Sequence, residues 1–589
     1  MEKWFIQAKR ADFFGLGKKF HIDPVIARVI RNRDVIGEEA VGRYLHGGLE
    51  SLHDPHLLKD VDLAVDILLK KKRENKKIRI ISDYDVDGVV SNYILWTAFK
   101  KCGMDVDFRI PDRITDGYGI NERLIAQAND DAIDTIVTCD NGIAAISQIA
   151  YAKSLGMTVI VTDHHDIPYD MVEGEKKYLS SNADAIVNPK QIECPYPYDK
   201  LCGAVVALKL VQVLYERMGF PEDAYVEFVP FAAIATVCDV VDLTDENRSL
   251  VRVGLKMIPN TNNIGLQALL EVNGRMGAKI SSYDLGFVIG PCINATGRLD
   301  SATMAVNLFL ENDVARARAM ALKLKELNDS RKAMTEEGMT EAFRMVEEEG
   351  LNADDVLVVF LPDCHESLAG IIAGRVREKY YKPAIVLTRS EEMVKGSGRS
   401  IEGYHMFEAL NEVKDLMTKF GGHPMAAGLS LPEKNVDLFR QKLNEFGKTR
   451  LNKDILTRKV PIDVRMPIDY ISEPLINQLE LLEPFGKANA KPVFAESRLN
   501  ILSLRRMGKA NNMLKLRIQN EHGTVINGVV FQRADEFESL LREKYGDRII
   551  DGLYYGRSGN VLFSAVYYPQ INEFRGTKEF QIIINNFMV

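Results

Sequence analysis

Seven acidic and imidazole side chains in the first half of the chain are of the types that bind hard divalent cations. Three carboxylates alternate from Asp83 to Asp87, and the others follow short β-branched or apolar runs; the seven are Asp83, Asp85, Asp87, Asp140, His164, His165 and Asp239. Burying carboxylates without partners is costly, so this set indicates that cations neutralise it. Mixed carboxylate and imidazole ligands favour Mn²⁺ or Mg²⁺. Two such ions can activate a water and stabilise a leaving oxygen, so we expect metal-assisted hydrolysis of a phosphate ester.

The first carboxylate group has alternative interpretations. Its Asp-x-Asp-x-Asp-Gly spacing matches the first half of an EF-hand calcium loop, but the twelfth position, which should be glutamate, is Ile94. A solvated acidic turn remains an alternative for this group alone, as does a surface or core pair for His164 and His165. Neither a GxxxxGK[ST] loop nor a GxSxG elbow occurs in the sequence, which removes the simplest support for ATP-driven chemistry and serine hydrolysis.

Alternating strand and helix patterns from about residue 60 to 260 must position these side chains. Strands are predicted at 77–82, 134–139, 157–162 and 185–188, helices at 91–101 and 144–155, and either type at 231–237. Apolar strands that alternate with helices imply a parallel sheet covered on both faces. Ligands of such sheets bind at the carboxyl ends of the strands. Because Asp83, Asp140 and Asp163 each follow a strand, we expect them to converge at one edge.

The second half of the chain changes character twice. A long helix is predicted at 302–333, with a break near Gly338. A second α/β region follows, with strands at 356–360 and 383–387, helices at 369–380 and 436–446, and a tight loop at 421–424. Short strands at 513–518, 525–531, 560–567 and 579–584 then suit an OB-fold barrel. We predict an N-terminal segment (1–60), a catalytic α/β domain (61–300), a connector helix (301–349), a smaller α/β substrate domain (350–450) and a nucleic-acid-binding barrel (455–589).

Composition limits the cellular setting. Net charge is −8, but residues 493–589 hold 13 Lys and Arg against 10 Asp and Glu, and the barrel region offers cations at 505–509 and tyrosine pairs at 554–555 and 567–568 that could stack on bases. No apolar segment reaches the roughly 20 residues of a membrane span, and the first residues lack a secretory apolar region. The seven cysteines show no CxxC spacing, and we expect Cys139 and Cys238 to be packing residues. These features favour the cytoplasm.

Three further groups could contact an anionic substrate. Gly290–Arg298 is predicted as a dense loop in which Arg298 could hold a scissile phosphate, the alternative being a structural turn. Ser397, Gly398 and Arg399 could form a nest for a terminal phosphate, the alternative being an ordinary loop. His423, after two glycines, could approach substrate or be a satisfied core histidine.

Taken together, these motifs resemble a known family. The Asp83 group, Asp140-Asn141-Gly142, Asp163-His164-His165 and the stretch 236–241 look like the four motifs of the DHH phosphoesterase superfamily, and 421–428 looks like the signature of its DHHA1 substrate domain. Stretches 111–113, 116–119, 290–298, 399–403 and 482–486 are similar to the RecJ family of single-stranded-DNA-specific exonucleases. The resemblance covers about residues 60–500, and the predicted barrel lies where that family has an OB domain.

The resemblance implies a metal-dependent 5′→3′ exonuclease that hydrolyses single-stranded DNA to mononucleotides in DNA repair and recombination. It implies that the seven residues above bind two Mn²⁺ or Mg²⁺ ions, with Asp85, Asp140, His164 and His165 catalytic, while Asp163 orients a histidine. It further implies that Arg113, Ser397 and Arg399 hold the 5′-terminal phosphate, that Arg298 contacts the phosphate being cleaved, and that His365 and His423 lie near substrate. Single-stranded DNA, a single-strand-binding protein and a helicase are the expected partners, without a membrane.

The chain departs from the family pattern at a few positions. Ile81 stands where some relatives have a histidine, Cys292 replaces an arginine of the glycine-proline loop, and Glu366-Ser367 replaces a smaller, neutral pair. Two other functions remain open: a DHH phosphodiesterase of short oligoribonucleotides or cyclic dinucleotides, and a nucleic-acid-binding scaffold without catalysis. The complete set of metal-binding residues favours an active enzyme.

Overall fold

The N-terminal segment folds against the C-terminal end of the chain. The computed structural model describes residues 2–113, 115–390, 393–508, 511–531, 533–557, 559–574 and 576–589. Its first elements are β1 (Glu2–Ile6), α1 (Phe13–Phe20), α2 (Pro24–Asn32) and α3 (Glu38–His46). β1 pairs in parallel with residues 458–462, and the apolar faces of α2 and α3 belong to the core of the C-terminal domain.

The following elements build a parallel sheet with helices on both faces. They are α4 (Val61–Arg73), β2 (Ile78–Ser82), α5 (Val86–Lys101), β3 (Val106–Arg109), α6 (Glu122–Asp130), β4 (Thr135–Cys139), α7 (Ile146–Ser154), β5 (Thr158–Thr162), the hairpin β6 (Tyr169–Val172) and β7 (Glu175–Tyr178), β8 (Ala185–Val187), α8 (Gly203–Met218), α9 (Val229–Cys238), α10 (Asp245–Met257) and α11 (Ile264–Val272). The strand order is β3-β2-β4-β5-β8, and every pairing is parallel. The predicted parallel sheet is confirmed, and its four predicted strands match the observed ones to within a residue.

A predicted loop in this domain is helical instead. After α12 (Ser282–Asp284), a π-helical turn covers Leu285–Ile289 and leads into α13 (Gly290–Leu299), which includes the whole stretch expected to be a loop. The glycines that indicated a loop serve close packing. A Cβ on Gly290 would lie 2.3 Å from the Cys238 Sγ, and one on Gly297 would lie 2.5 Å from the Tyr84 carbonyl oxygen.

A long helix joins this domain to the next one. α14 (Thr303–Leu310) is followed by α15 (Val314–Glu348), whose 35 residues span about 50 Å. The predicted single helix at 302–333 is therefore wrong, because Asp313 caps α15 by accepting from the Arg316 N–H and so starts a new helix. The predicted break near Gly338 is also wrong: a Cβ there would lie 2.6 Å from Ile372, so this glycine lets two helices touch.

The second α/β domain is a mixed five-stranded sheet. It comprises β9 (Leu357–Phe360), α16 (Ala369–Tyr380), β10 (Ala384–Ser390), β11 (Met393–Arg399), α17 (Met406–Glu412), β12 (Lys419–Gly422), β13 (Ala426–Leu431) and α18 (Val436–Arg450), with strand order β12-β13-β11-β10-β9. Ser397 and Arg399 lie in a strand and not in the expected loop. Helix α18 passes the predicted end at Gly447, which packs against Val356.

The C-terminal domain is a closed barrel to which three helices are added among the described residues. It comprises β14 (Arg458–Ile462), β15 (Val464–Arg465), α19 (Glu473–Leu479), β16 (Phe494–Met507), β17 (Met513–Gln519), β18 (Val525–Val530), α20 (Ala534–Tyr545), α21 (Asp547–Tyr554), β19 (Leu562–Phe574) and β20 (Thr577–Met588). The sheet order is β15-β16-β17-β18-β20-β19, and a β16–β19 pairing closes it. The predicted barrel is confirmed, whereas α20 and α21 were not predicted.

The barrel does not present the expected stacking residues as a group. Tyr567 is fully buried and donates to the Met466 carbonyl, and Tyr568 is also in the core. Tyr555 alone among the four predicted tyrosines is mostly exposed, at 83%. Arg506 pairs with Glu538 at 2.6 Å, and Lys509 lies outside the described residues. The alternation of side chains along a strand predicts two faces, but it does not show which face of the strand the rest of the barrel buries.

In the part of the chain that the structure describes, no helix is both long enough and apolar enough to cross a bilayer.

A buried ion pair connects the N-terminal segment to the barrel. Arg33 forms a two-point contact with Asp463, at 2.6 and 2.9 Å, and Asn32 donates to the same carboxylate. Both charged side chains are less than a tenth exposed. Asp463 also accepts from the Val493 N–H, so one carboxylate connects α2, β14 and the start of β16.

We predict that Asp463→Asn lowers the free energy of unfolding of this unit by about 3 kcal/mol, because it leaves the Arg33 charge buried without its counter-charge. Trp4 on β1 reports on the unit, so urea unfolding followed by its fluorescence in a Trp96→Phe background measures the effect. Glu521→Gln is the matched control, since its pair with Arg498 is exposed and should contribute less than about 1 kcal/mol. Equal effects of the two substitutions would contradict the prediction.

Candidate metal centre and phosphate-binding residues

The Asp83–Asp87 turn connects β2 to α5 at the carboxyl edge of the parallel sheet. Asp85 caps α5 by accepting from the Asp87 and Gly88 N–H groups at 2.9 and 3.1 Å. Asp87 accepts from the Gly203 and Ala204 N–H groups at the start of α8. Helix N-termini carry partial positive charge, so these two helices stabilise two of the three carboxylates. This capping also explains why α5 begins five residues before the predicted start.

Asp140 follows β4 and is held in an unfavourable backbone conformation. Its φ is +59°, a left-handed value that non-glycine residues rarely adopt. The Tyr118 hydroxyl donates to the Asp140 carbonyl at 2.9 Å, and Asn141 donates to the Ile81 and Cys139 carbonyls, which anchors the turn to β2 and β4. This strain turns the Asp140 carboxylate toward the Asp83–Asp87 turn, as expected of strain stored at a functional site.

The two histidines follow β5, and Asp163 organises them. The Asp163 Oδ1 accepts from both backbone N–H groups of His164 and His165 and lies 2.8 Å from the His165 Nδ1. Burial alone would raise the pKa of Asp163, but its hydrogen bonds to His165 hold that pKa below the usual value. Asp163 thus lies where it can orient His165, the role expected for it.

The seven expected ligands meet at one place. Asp239, at the end of α9, lies 3.7 Å from the His164 Nε2, which is also 3.1 Å from Asp140 and 3.6 Å from Asp87. Three overlapping groups have ligand atoms close enough to share an ion: Asp83, Asp85 and Asp140; Asp140, His164 and His165; and Asp87, His164 and Asp239. The structure therefore brings together every ligand candidate that the sequence indicated.

The electrostatics of this cluster fit divalent cations. Burial, reinforced by neighbouring carboxylates, raises the pKa of Asp83, Asp85 and Asp140, and raises that of Asp239 to about 8. The buried Asp83 Oδ1 has no hydrogen-bond partner among the described residues. A cluster of carboxylates that repel one another, with an unpaired oxygen aimed inward, is neutralised by cations bound among them. Oxygen and imidazole donors suit Mn²⁺ or Mg²⁺.

Three cationic side chains, those of Arg113, Lys395 and Lys419, line a cavity beside this cluster. Arg113 lies over the Tyr84 ring at 5.0 Å, and both line a cavity of about 420 Å³ with Ser397 and Lys395 of β11. Burial lowers the pKa of Arg298, to about 10, and of Arg399, and the charge of Arg113 lowers both further. Guanidinium groups that repel one another in this way are suited to sharing an anion such as phosphate.

The structure also positions the two remaining histidine candidates. The Arg298 Nη1 donates to the Ser367 carbonyl at 2.6 Å, and His365 caps the same turn with its Nδ1 2.8 Å from the Ser367 Oγ. This turn connects the second domain to Arg298 of the first. His423 is exposed in the turn between β12 and β13, where its charge helps to lower the pKa of Asp166, after the larger effect of Lys190. Neither histidine is a buried core residue with both ring nitrogens hydrogen-bonded inside the domain.

The departures from the family pattern lie at the margins of the site. Ile81 is fully buried in a core cluster, so its side chain packs within the domain. Cys292 is buried in α13, with its Sγ 3.3 Å from the Val288 carbonyl. Glu366 pairs with Lys395 at 3.0 Å and lines the cavity beside Ser397. Of these, Glu366 alone changes the charge of the cavity.

The sequence interpretation missed Tyr118 and Tyr84 as site residues. The Tyr118 hydroxyl lies 3.3 Å from the His165 ring nitrogens, so this side chain connects Asp140 to His165. A signal was present, because Tyr118 stands between Gly117 and Gly119, both in left-handed conformations typical of a constrained turn. Tyr84 was hidden within the carboxylate motif.

Comparisons with known proteins match the chain over nearly its full length. Family models match the DHH family N-terminal domain at residues 77–236, the DHHA1 domain at 353–449 and the RecJ OB domain at 462–586. The single-stranded-DNA-specific exonuclease RecJ of Bacillus subtilis (strain 168) is 32% identical over 587 residues, which cover 99% of this chain and 70% of that protein. RecJ of Escherichia coli (strain K12) is 32% identical over 585 residues, covering 96% of each.

A solved structure agrees with the fold. RecJ of Thermus thermophilus, determined in complex with Mn²⁺, superposes with a TM-score of 0.82 at 24% identity and covers 100% of this chain and 79% of that one. Together with the family matches, this confirms the predicted fold class: a parallel-sheet DHH domain, a long helix, a smaller DHHA1 domain and a C-terminal OB barrel.

We predict that Asp239→Asn stabilises the metal-free protein as pH rises. The pKa of Asp239 is about 8 in the folded protein and 3.8 in the unfolded chain. At neutral pH the folded protein therefore keeps a proton on Asp239 that the unfolded chain loses. The contribution of Asp239 to the free energy of unfolding is therefore complete below pH 4 and is lost as the pH rises through 8. The variant has no carboxyl group at this position, so its stability does not fall in this way. At pH 9 in EDTA we expect a gain of about 2 kcal/mol, measured as a melting temperature some 4–8 °C higher.

The same variant should respond less to metal. Mn²⁺ should raise the melting temperature of the parent more than that of Asp239→Asn, because the variant has lost an anionic ligand. Asp223→Asn, which removes an exposed carboxylate, serves as the control. A pH-independent gain, or identical Mn²⁺ shifts in parent and variant, would refute the assignment.

Proposed function

Because the chain belongs to the RecJ family of single-stranded-DNA-specific exonucleases, we propose that it removes mononucleotides from the 5′ end of single-stranded DNA with two Mn²⁺ or Mg²⁺ ions. The observation that carries the proposal is the convergence of seven cation-binding side chains beside a cavity lined by cationic groups. A metal-dependent exonuclease of this kind is consistent with the role in DNA repair and recombination expected from the sequence. The 5′→3′ direction and the residue roles are the parts that experiments must test.

We assign the metal-binding role to the three overlapping groups of carboxylates and imidazoles. Asp83, Asp85 and Asp140 would hold one ion, and His164, with Asp87 and Asp239, would contribute to the other. When bound, two divalent ions activate a water and stabilise charge on the attacking and leaving oxygens of a phosphate ester. The protein's own contribution is orientation: Asp163 fixes the His165 ring, and the N-terminus of α5 fixes Asp85.

The position of the cationic cavity supports exonucleolytic cleavage. Arg113 comes from the first domain and Ser397 from the second, and Arg399 approaches Gly370 so closely that a Cβ there would lie 2.7 Å from the guanidinium. A 5′-phosphate bound among these groups would leave the next phosphodiester near the carboxylates. Arg298, between the cavity and Asp85, is the group we assign to the phosphate that is cleaved. A terminal phosphate pocket of this kind sets the product length to one nucleotide.

His365 and His423 are assigned to substrate contact from the second domain. His365 lies on the turn that Arg298 contacts, and the charge of His423 acts on Asp166 of the first domain. Single-stranded DNA is the substrate on this proposal. A single-strand-binding protein and a helicase as partners, and the cytoplasm as the location, stay predictions from the sequence.

We predict that Asp140→Ala lowers the rate of hydrolysis by about 1,000-fold or more, because it removes a carboxylate shared by two of the metal groups. Affinity for a 5′-phosphorylated single strand should change by less than about threefold, since the phosphate-binding arginines remain. The measurements are mononucleotide release with Mn²⁺ and oligonucleotide binding by fluorescence anisotropy, with Asp223→Ala as control. Loss of binding in step with hydrolysis would show that Asp140 organises the whole site.

We predict that Arg399→Ala raises the KM for 5′-phosphorylated single strands by about 10- to 100-fold, the effect of losing one charge-assisted hydrogen bond. Strands with a 5′-hydroxyl should be cleaved with nearly unchanged parameters. Arg389→Ala is the matched control, because Arg389 lies in the same sheet but pairs with Glu433 at the surface. Equal losses on the two kinds of substrate would remove Arg399 from the 5′-phosphate site.

A further inference from the structure

A second cavity, of about 810 Å³, lies where the first domain meets the segment that leads into the C-terminal barrel. One wall is the end of α9 and the residues after it, including Val240, which directly follows Asp239. The opposite wall is the segment 483–491, which leads into the barrel. Tyr84, between Asp83 and Asp85, lines the phosphate cavity instead. Each cavity is therefore lined by a residue that directly adjoins a metal-binding residue, Tyr84 in one and Val240 in the other.

The backbone beside this cavity is strained. Val240 has a φ of +57°, a left-handed value that is a genuine outlier for a β-branched residue, and its side chain is 60% exposed. Leu285–Ile289, which forms the wall beside it, is a π-helical turn, a rare geometry often found at functional sites. Strained backbone and π-helical turns are kept only where the surrounding structure stabilises them, and they are often found at functional sites. Both features therefore indicate a binding site at this cavity.

An aromatic platform forms the mouth of the cavity. Tyr283 and Phe287 stack on each other with ring centroids 4.8 Å apart and an interplanar angle of 21°. Both side chains are more than 60% exposed, so no other described part of the chain covers their outer faces. Large exposed aromatic surfaces on a folded domain usually mark a binding site. Two parallel rings offer a flat ligand the geometry that a nucleobase uses for stacking.

Cations and hydroxyls border this platform. Lys487 and Lys491 line the cavity, and the Lys491 ammonium lies 3.7 Å from the Tyr568 ring centroid. Ser281 and Ser282 add hydroxyls, and Glu483 is the one carboxylate among the described residues that line it. The Lys487 ammonium lies 3.5 Å from Asp242, so Lys491 is the lysine of this wall whose charge is directed at an aromatic face. Apolar and aromatic walls with ammonium groups at the border match the chemistry of single-stranded nucleic acid: flat bases joined by anionic phosphates.

We propose that this cavity, with the Tyr283–Phe287 platform, takes unstacked nucleobases of the single strand on the 3′ side of the scissile phosphate. The inference rests on the proposed function, since it names where the uncleaved strand lies once its 5′-phosphate occupies the phosphate cavity. The strand then runs from the phosphate cavity, past the carboxylates, across Val240 and onto the segment that enters the barrel. The site accepts single strands because bases paired in a duplex have no free faces to stack on the platform.

Base stacking at the platform can be measured without hydrolysis. In EDTA, 5′-phosphorylated 12-nucleotide strands carrying 2-aminopurine at one position at a time should show fluorescence changes on binding at a few consecutive positions near the 5′ end. Tyr283→Ala and Phe287→Ala should abolish those changes, whereas Tyr283→Phe should retain them. Both side chains are exposed, so the alanine variants should fold normally. Phe14→Ala, which removes an exposed aromatic side chain of the N-terminal segment, is the control.

The kinetic test separates stacking from an effect on the metal centre. With Mn²⁺, each alanine variant should raise the KM for the 12-nucleotide strand about 10-fold, the effect of losing one base-stacking partner, with kcat within twofold. A 5′-phosphorylated dinucleotide, which has a single base on the 3′ side of the scissile phosphate, should show a KM change of less than about threefold and an unchanged kcat. Unchanged KM and fluorescence on the long strand, or equal losses on both substrates, would overturn the assignment.

Failure of the proposed function would look different. If the parent bound the strand with the position-dependent fluorescence changes but released no mononucleotide with Mn²⁺, the exonuclease proposal would fail while the stacking site stood. If light scattering showed a parent dimer that either alanine variant dissolved, the platform would be a contact between two copies of the chain, and the stacking proposal would be wrong.

Discussion

The crowding of buried carboxylates at one edge of the parallel sheet is the constraint on which the rest of the site depends. Burial, reinforced by neighbouring carboxylates, raises the pKa of Asp83, Asp85, Asp140 and Asp239, so the folded chain without cations holds like charges close together at a cost. The surrounding protein offsets part of that cost with oriented N–H groups. Two helix N-termini face Asp85 and Asp87, and Asp163 pairs with His165. Divalent cations would offset the remainder, so metal binding and folding of this edge are coupled.

Charge is distributed unequally between the two α/β domains. The first domain holds the anionic cluster, and its Arg113 and Arg298 face the second domain, which supplies Ser397, Arg399 and the turn at Ser367. Anionic and cationic side chains therefore lie side by side at the junction, as the proposed binding of a phosphodiester and two metal ions requires. Helix α15 also packs closely on the second domain, because Gly338 leaves room for the Ile372 side chain of α16.

The N-terminal segment and the barrel form one unit that adjoins the first domain. β1 adds to β14, and Arg33 and Asp463 connect the two ends of the chain through a buried pair. Arg248 of α10 donates to the carbonyls of Tyr44, Leu481 and Leu482, so the catalytic domain is fastened to both parts of this unit. These hydrogen bonds from one buried guanidinium attach the barrel and the N-terminal segment to the same helix of the first domain.

The sequence by itself determined the type and grouping of the chemical residues. Strand-ending motifs such as Asp140-Asn141 and Asp163-His164-His165 predict their own convergence, because the carboxyl ends of parallel strands share one edge. Tertiary structure alone decided which glycines and tyrosines matter. Gly290 and Gly338 indicated a loop and a break, but they permit helix contacts that only distant residues create. Likewise Tyr567 is core, whereas Tyr283 is exposed, because burial depends on which elements pack over a face and not on the local pattern.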